Sequence, residues 1–241
     1  MVTAIAYGRP STIDEAFELL ARPSAVVLAG GTRLNGDTSP RQVEVVDLQA
    51  LPLHGIRSEG DHGLRIGAMT TLQQVADDDL VPPTVREAAR RERPSTLRAQ
   101  GTLGGCLATG DAESELLAAL LVHEAVVHVE SRDRSGALSL EAFLDGLPLE
   151  PGHLVTAVAL RTDGSTAAAR TARTPADRAI VAAFARTVQD GRRIALTGVA
   201  PRPVLVQPGE ELDPTGDFRG SSEYRRALAG VLITRVLEAT S

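Results

Sequence analysis

Two glycine-rich segments carry the residue types best suited to hold a phosphorylated ligand. The first, AVVLAGGTRL (residues 25–34), runs from an apolar stretch into Gly30 and Gly31, and the second, GTLGGCLATG, spans residues 101–110. Adjacent glycines allow a tight turn that presents unhindered backbone N–H groups, which bind phosphate. A single Gly-Gly-Thr sequence more often only ends a strand. The presence of two such segments favours a phosphate site, with plain turns as the alternative.

Acidic residues follow the second segment and open a predicted helix. Asp111, Glu113 and Glu115 place negative charge where a helix start would otherwise attract phosphate. A phosphate would therefore lie on the glycine segment itself, and the carboxylates would accept hydroxyl groups of a ribose or ribityl chain. The alternative is an acid-capped helix without a ligand. Neither segment is the G-x-G-x-x-G fingerprint of a nicotinamide fold or a Walker loop.

The other reactive residues form no catalytic or metal-binding pattern. Cys106 is the one cysteine, so no disulfide, zinc site or iron–sulfur cluster can form within the chain. It would be reactive if exposed, although a lone cysteine is more often a small packed residue. His123 and His128 are five positions apart and would face different sides of a helix. We predict no metal site and name no catalytic residue.

The composition excludes several classes of function. The 241 residues carry a net charge of −6 and only 2% aromatic residues, so neither phosphate neutralisation nor base stacking supports a nucleic-acid partner. Apolar runs such as residues 116–122 are too short to cross a bilayer. The N-terminus lacks the basic flank and apolar core of a signal peptide. These features predict a cytoplasmic protein without a membrane span.

The hydrophobic patterns predict an α+β chain in three regions. Strands are expected at 3–7, 25–29, 43–48, 64–72, 125–131 and 192–199, and helices at 11–21, 84–92, 112–122 and 222–239. Residues 176–186 fit either a helix or a strand. Pro82-Pro83 opens the second region, because proline is not expected inside a helix or a strand ladder. The last helix is predicted to bury Tyr224, Leu228, Val231, Leu232 and Val236 on one face.

Five motifs in order extend over nearly the whole chain: LAGGTRL, LRIGAMTTL, LRAQGTLGGCLATGDAESELLAAL, RIALTGVAPRP and GSSEYRRALAGVLITRVL. Together they resemble the FAD-binding medium subunits of molybdenum hydroxylases, the family that includes carbon monoxide dehydrogenase and xanthine dehydrogenase. The resemblance implies two FAD-binding α+β subdomains of the vanillyl-alcohol oxidase type, followed by a C-terminal α/β domain in which a sheet packs with helices. The expected bounds are residues 1–78, 79–164 and 165–241.

The same resemblance implies which residues contact the cofactor. Backbone amides of both glycine segments would hold the FAD diphosphate, the acidic residues would lie beside the cofactor, and a later strand would run near the flavin ring. The implied residues are Ala29, Gly30, Gly31, Thr32, Arg33, Leu34, Thr102, Gly104, Gly105, Cys106, Asp111, Glu115, Leu154 and Val155. The sequence departs from the family where Cys106 and Ala99 replace common asparagines, and where residues 160–176 form a short alanine-rich segment.

The function implied is electron transfer by an oxidoreductase subunit. A large partner with molybdopterin would hydroxylate the substrate, and 2Fe-2S clusters on a small partner would pass electrons to FAD on this chain, then to NAD⁺, quinone or oxygen. The assembly would be a heterotrimer or a dimer of heterotrimers. The single cysteine agrees with clusters on another chain. The alternatives are a scaffold subunit that has lost FAD, suggested by Cys106 and Ala99, and a stand-alone flavin reductase.

Overall fold

In the computed structural model, which describes residues 2–241, the chain forms three β-sheets and eight α-helices. The strands are β1 (Val2–Gly8), β2 (Ala25–Leu28), β3 (Arg41–Asp47), β4 (Ile56–Glu59), β5 (Gly63–Gly67), β6 (Val126–Glu130), β7 (Ser135–Ser139), β8 (Leu154–Arg161), β9 (Ser165–Thr171), β10 (Val181–Val188), β11 (Gly191–Thr197) and β12 (Val204–Val206). The helices are α1 (Ile13–Leu20), α2 (Leu72–Asp77), α3 (Pro83–Glu92), α4 (Ser95–Arg98), α5 (Leu103–Thr109), α6 (Glu115–Val122), α7 (Leu140–Asp145) and α8 (Ser222–Ala239). The predicted α+β class is confirmed.

The first sheet is parallel, with strand order β1-β3-β2. Helix α1 packs on it through Ala16, Phe17 and Leu20, which form one apolar cluster with Val46 on β3. Parallel strands in one sheet must be joined by crossovers. Helix α1 supplies the crossover from β1 to β2, which lie on either side of β3. Strand β2 ends at Leu28, so the first glycine segment leaves the sheet at its carboxyl edge.

The second sheet is antiparallel, with order β4-β5-β8-β6-β7. Alternate residues such as Leu64, Ile66 and Val158 are buried in the cluster that also contains helices α2, α3, α5, α6 and α7. Because β5, before residue 78, pairs with β8, after it, the expected first boundary divides a continuous sheet. We propose instead that the first unit ends immediately before β4, while the second boundary lies between β8 and β9 as expected.

The third sheet is antiparallel, with order β12-β11-β10-β9, and both of its faces are covered. Ala182 and Phe184 belong to the cluster that contains the fully buried helix α6, whereas Val181, Ala183 and Ala185 join the cluster that contains α8. Residues 176–186, which fitted either a helix or a strand, therefore contain most of β10. A strand buried on both faces has a continuous apolar run, so its period is hidden.

Helix α8 buries only part of the predicted face. Leu232 and Val236 are buried and Leu228 packs beside them, as predicted, whereas Tyr224 and Val231 are 45% and 49% exposed. Arg225 and Ala229 are buried in their place. The Arg225 guanidinium donates to the carbonyls of Ile180 at 2.7 Å and Gly198 at 2.9 Å. The face was mispredicted because an arginine, counted as polar, turns its charge inward to satisfy backbone carbonyls.

Several element ends also differ from the prediction. Strand β5 stops at Gly67, not residue 72, because Thr71 and Gln74 form a reciprocal capping box that starts α2. Pro83 lies within α3, at its first position, where a missing N–H costs nothing. Helix α6 starts at Glu115 because the Ser114 side chain caps it. Within the described part of the chain, no helix combines the length and apolar character needed to span a membrane.

Mild acid is expected to destabilise the fold through His123. This side chain is fully buried, and its two ring nitrogens lie 2.6 Å from the Arg161 carbonyl oxygen and 3.2 Å from the Thr84 hydroxyl. Burial lowers the pKa of His123 from 6.5 to about 4. The unfolded chain takes up this proton at higher pH than the folded chain does. The contribution of His123 to the free energy of unfolding is therefore complete above pH 6.5. About 3 kcal/mol is lost as the pH decreases towards 4.

Urea unfolding at about pH 7 and about pH 5 measures this loss. His123→Gln, which cannot titrate, should lose less of its own unfolding free energy across that interval. His62→Gln replaces an exposed histidine and should behave like the wild type. The same pH dependence in His123→Gln and the wild type would contradict this role for His123.

Candidate functional site

The two glycine-rich segments are in direct contact, as predicted. A Cβ atom added to Gly30 would lie 1.8 Å from the carbonyl oxygen of Gln100 and 3.2 Å from the Cα of Gly101. Real Cβ atoms do not approach backbone this closely, so only glycine permits the contact. Gly31 has φ of +70°, a second reason for glycine in this turn.

A cavity of about 190 Å³ lies where the segments meet. Its lining residues are Val27, Ala29, Gly30, Gly31, Thr32, Arg33, Leu34, Leu72, Arg93, Gly101, Thr102, Gly105, Cys106, Ala108 and Thr109. Nine of the fourteen predicted contact residues are in this set, including the whole stretch from Ala29 to Leu34. Arg93 and Leu72 were not predicted. Their signal was weak, because Arg93 lies outside the five motifs and Leu72 is only the apolar last residue of LRIGAMTTL, so the fold alone brings them to the cavity.

The first segment offers free backbone donors to this cavity. The carbonyls of Gly31, Arg33 and Leu34 accept hydrogen bonds at 2.9–3.2 Å from the amides of residues 35–37. The five amides of residues 30–34 themselves donate to no acceptor among residues 2–241. A turn of this kind leaves its first N–H groups without internal acceptors, as the start of a helix does. Residues 30, 31, 32 and 34 are partly buried and Arg33 is exposed, so these amides are open to an acceptor from outside the chain, such as water or a ligand.

The second segment supplies only one of the predicted amides: the Thr102 N–H, at the cavity lining, donates to no acceptor among residues 2–241. Leu103, Gly104 and Gly105 donate their N–H groups to the Thr70 carbonyl at 3.0 Å, the Ala68 carbonyl at 2.8 Å and the Thr102 hydroxyl at 3.1 Å. The segment is the start of α5, and Thr102 is its N-cap. Gly104 lies outside the cavity, and its Cβ would meet Ala68 at 2.9 Å, so this glycine allows packing. The prediction of a two-sided amide cradle is therefore corrected at Gly104 and Gly105: the free donors are the amides of residues 30–34, with that of Thr102 alone on the second segment.

Cys106 lines the cavity, and its thiol is engaged in a buried network. The thiol donates to Glu92 at 3.1 Å, and the same carboxylate accepts from the Ser114 hydroxyl at 2.8 Å and from the Leu116 amide at 3.4 Å. Burial, followed by the charge of Glu92, raises the pKa of Cys106 well above its usual value. The cysteine is therefore a protonated, unreactive group that closes one wall of the cavity.

The two predicted acidic residues lie outside the cavity lining and are paired with arginines. Asp111 accepts from Arg178 at 2.8 Å, and the buried Glu115 accepts from Arg170 at 3.0 Å. Burial raises the pKa of Glu115, and the charge of Arg170 opposes this rise. Because Arg170 belongs to β9 and Arg178 precedes β10, these pairs connect the start of α6 to the third sheet.

Leu154 and Val155 are also outside the cavity. Leu154 packs in the cluster that contains α1, whereas Val155 packs in the helical core above the second sheet. Their burial, 3% and 7% exposed, leaves little surface for a ligand. The structure therefore places Leu154 in packing between the first and second units and Val155 in the core above the second sheet.

Comparison with known proteins identifies the family of this fold and site. Residues 3–160 match the family described as "FAD binding domain in molybdopterin dehydrogenase". YgfM, described as an uncharacterized protein of Escherichia coli K12, is 33% identical over 94% of this chain and 93% of its own. The carbon monoxide dehydrogenase medium chain of Afipia carboxidovorans is 29% identical over 96% of this chain and 95% of its own.

Solved structures share the fold over its full length. Carbon monoxide dehydrogenase from Hydrogenophaga pseudoflava has a TM-score of 0.87 at 26% identity, covering 100% of this chain and 98% of that chain. Quinoline 2-oxidoreductase from Pseudomonas putida 86 has a TM-score of 0.86 at 26% identity, covering 99% and 97%. The chain belongs to the family of FAD-binding medium subunits of molybdenum hydroxylases, which are oxidoreductase subunits. The resemblance read from the motifs is confirmed.

Gly30→Ala is expected to disrupt the contact between the segments. The new methyl group must displace the Gln100 carbonyl, which should cost about 1–3 kcal/mol of stability and open the cavity. Gly36→Ala is the matched control, because its nearest neighbours are 3.6 Å away. Thermal unfolding of both variants measures the difference. Equal stabilities would contradict the contact at Gly30.

Glu115→Gln is expected to weaken the fold without changing the cavity. The substitution leaves Arg170 without its carboxylate partner in a largely buried setting, which should cost about 1–3 kcal/mol. Glu87→Gln removes an exposed pair with Arg91 and should cost less than about 1 kcal/mol. Denaturant unfolding compares the two losses, and ligand titration checks the cavity. A Glu115→Gln protein with full stability and impaired ligand binding would return Glu115 to the role first predicted.

Proposed function

We propose that this chain binds FAD with the diphosphate on the amides of residues 30–34, and that it transfers electrons within a molybdenum hydroxylase complex. The observation that carries the proposal is the run of five unpaired amides at a cavity built from both glycine segments. Backbone donors without internal partners fit a diphosphate, whose oxygens accept several hydrogen bonds at once. Membership of the family supports the choice of flavin dinucleotide.

The space around the cavity suits an elongated ligand. A groove of about 570 Å³ adjoins the cavity and shares Val27, Arg33 and Leu34 with it. The cavity alone is small, so it would enclose the middle of a dinucleotide while one end continues along the groove. Leu72 and Leu34 supply apolar walls, and Cys106 closes the inner side. These residues bind and orient the cofactor, and no side chain is assigned a proton-transfer role.

The electron path is assigned from the family relationship. Bound FAD supplies the ability to accept and release electrons singly or in pairs. The relatives are described as medium chains or medium subunits, which supports a large and a small partner for this chain. A molybdopterin centre and 2Fe-2S clusters on those partners would deliver the electrons. The clusters would lie on a partner because this chain has one cysteine, too few to hold such a cluster. The cytoplasmic location expected from the sequence remains a prediction.

Flavin content and flavin binding test the proposal directly. The full chain, purified with its partners or alone, should carry one FAD and show visible flavin absorbance. After the flavin is removed by dialysis, FAD should bind again, and Gly30→Ala should bind more weakly than Gly136→Ala, whose added methyl group meets nothing within 4 Å and which lies outside the lining of the cavity and the groove. A correctly folded chain that neither carries nor rebinds FAD would overturn the proposal and favour the scaffold subunit. Flavin reduction by the isolated chain without any partner would favour the stand-alone reductase.

A further inference from the structure

We propose that Arg93, with Arg33 as a second arm, provides the cationic anchor for the diphosphate at the cavity. This inference rests on the proposed binding of FAD and adds the residues that balance its charge. Both arginines line the cavity, on opposite segments of the chain. Arg33 lies within the run of free amides, and Arg93 comes directly after α3. A diphosphate held between them would receive charge-assisted hydrogen bonds in addition to those from the amides.

Arg93 is unusual among the cations of this protein. All 25 basic residues are arginines, and most donate to a carboxylate or a carbonyl. Seven arginine side chains make no hydrogen bond or ion pair within residues 2–241: Arg9, Arg33, Arg93, Arg132, Arg134, Arg192 and Arg235. Six of these are exposed, and Arg93 is the one that is partly buried. A partly buried guanidinium without a partner is unfavourable unless an anion accompanies it.

The neighbouring acids do not provide that anion. Asp111 and Glu113 are paired with Arg178, and Glu113 also with Arg219, while Glu115 is paired with Arg170. Glu92 precedes Arg93, but its carboxylate accepts from the Cys106 thiol, the Ser114 hydroxyl and the Leu116 amide. Among residues 2–241, no guanidinium nitrogen lies within 4 Å of the Glu92 carboxylate oxygens. The positive charge at this end of the cavity is therefore available to a ligand.

The backbone fixes where the Arg93 side chain starts. Arg93 is extended, with φ of −144° and ψ of 154°, which ends α3. Pro94 follows and disfavours a helical conformation at Arg93. The Arg98 guanidinium donates to the carbonyl of Arg90 at 2.7 Å and to that of Arg93 at 3.3 Å. Arg98 thus holds the backbone at Arg93 in place, while the Arg93 side chain keeps an unpaired charge at the cavity wall.

Arg93→Gln tests the inference on the full chain, with FAD affinity measured by titration calorimetry on protein freed of flavin. We expect FAD to bind about 10–100-fold more weakly, while riboflavin, which lacks phosphate, binds as it does to the wild type. Arg93→Lys retains the charge, so its affinity for FAD should lie between those of the wild type and Arg93→Gln. Arg192→Gln, at an exposed and unpaired arginine, is the matched control and should leave FAD binding unchanged. Added salt should weaken FAD binding less in Arg93→Gln than in the wild type.

The outcomes separate this inference from the proposed function. If the wild type does not bind FAD, the proposed function fails. If the wild type binds FAD and folded Arg93→Gln binds it equally well, the anchor is overturned. If Arg93→Gln lowers the unfolding temperature but the folded fraction keeps wild-type affinity, Arg93 balances the charge of Glu92 instead, and the anchor is again overturned. A selective loss of FAD and ADP affinity, with riboflavin affinity retained, supports it.

Discussion

The close approach of two backbone segments at Gly30 is the constraint on which the candidate site depends. The Gln100 carbonyl occupies the volume that any side chain at Gly30 would need. The loop after β2 can therefore lie against the turn before α5, and the cavity forms between them. This contact joins the first sheet to the helical layer of the second. The same loop keeps five amides without internal acceptors. Its conformation therefore allows close packing and also leaves donors for the proposed ligand.

Charge pairing connects the site to the third sheet. The carboxylates at the start of α6 are engaged by arginines from β9, from the residues before β10 and from the loop before α8. Helix α6 is buried along its whole length, so its polar first turn needs such partners. These ion pairs engage Asp111, Glu113 and Glu115, the acids that follow the second glycine segment. Arg33 and Arg93 remain without an acid partner at the cavity, which supports the proposed anionic ligand in a chain whose net charge is −6.

Much of this arrangement could be read from the sequence, for identifiable reasons. The glycines at 30 and 31 were predicted to form a ligand loop because adjacent glycines allow a tight turn with unhindered N–H groups. The structure adds a positive φ at Gly31 and a close backbone contact at Gly30. The face of α8 was mispredicted because Arg225 looks like a surface residue in a helical pattern. The amides of Gly104 and Gly105 were assigned to a ligand, whereas capping and the bond to Ala68 use them. A glycine pattern does not reveal which acceptor each amide will find.

The sequence alone determined the family, several of the longer elements and the turn at Gly30 and Gly31, since these depend on local propensity, hydrophobic period and short motifs. Only the tertiary structure decided which residues share the cavity and which serve packing. Leu154 and Val155 lie in β8, where register and layer contacts bury them, and Glu115 meets Arg170 across 55 positions of sequence. Arg93 likewise lies at the cavity only because the fold brings the end of α3 beside the two glycine segments. Such roles follow from long-range contacts, because a side chain's partners depend on which segments the fold brings beside it.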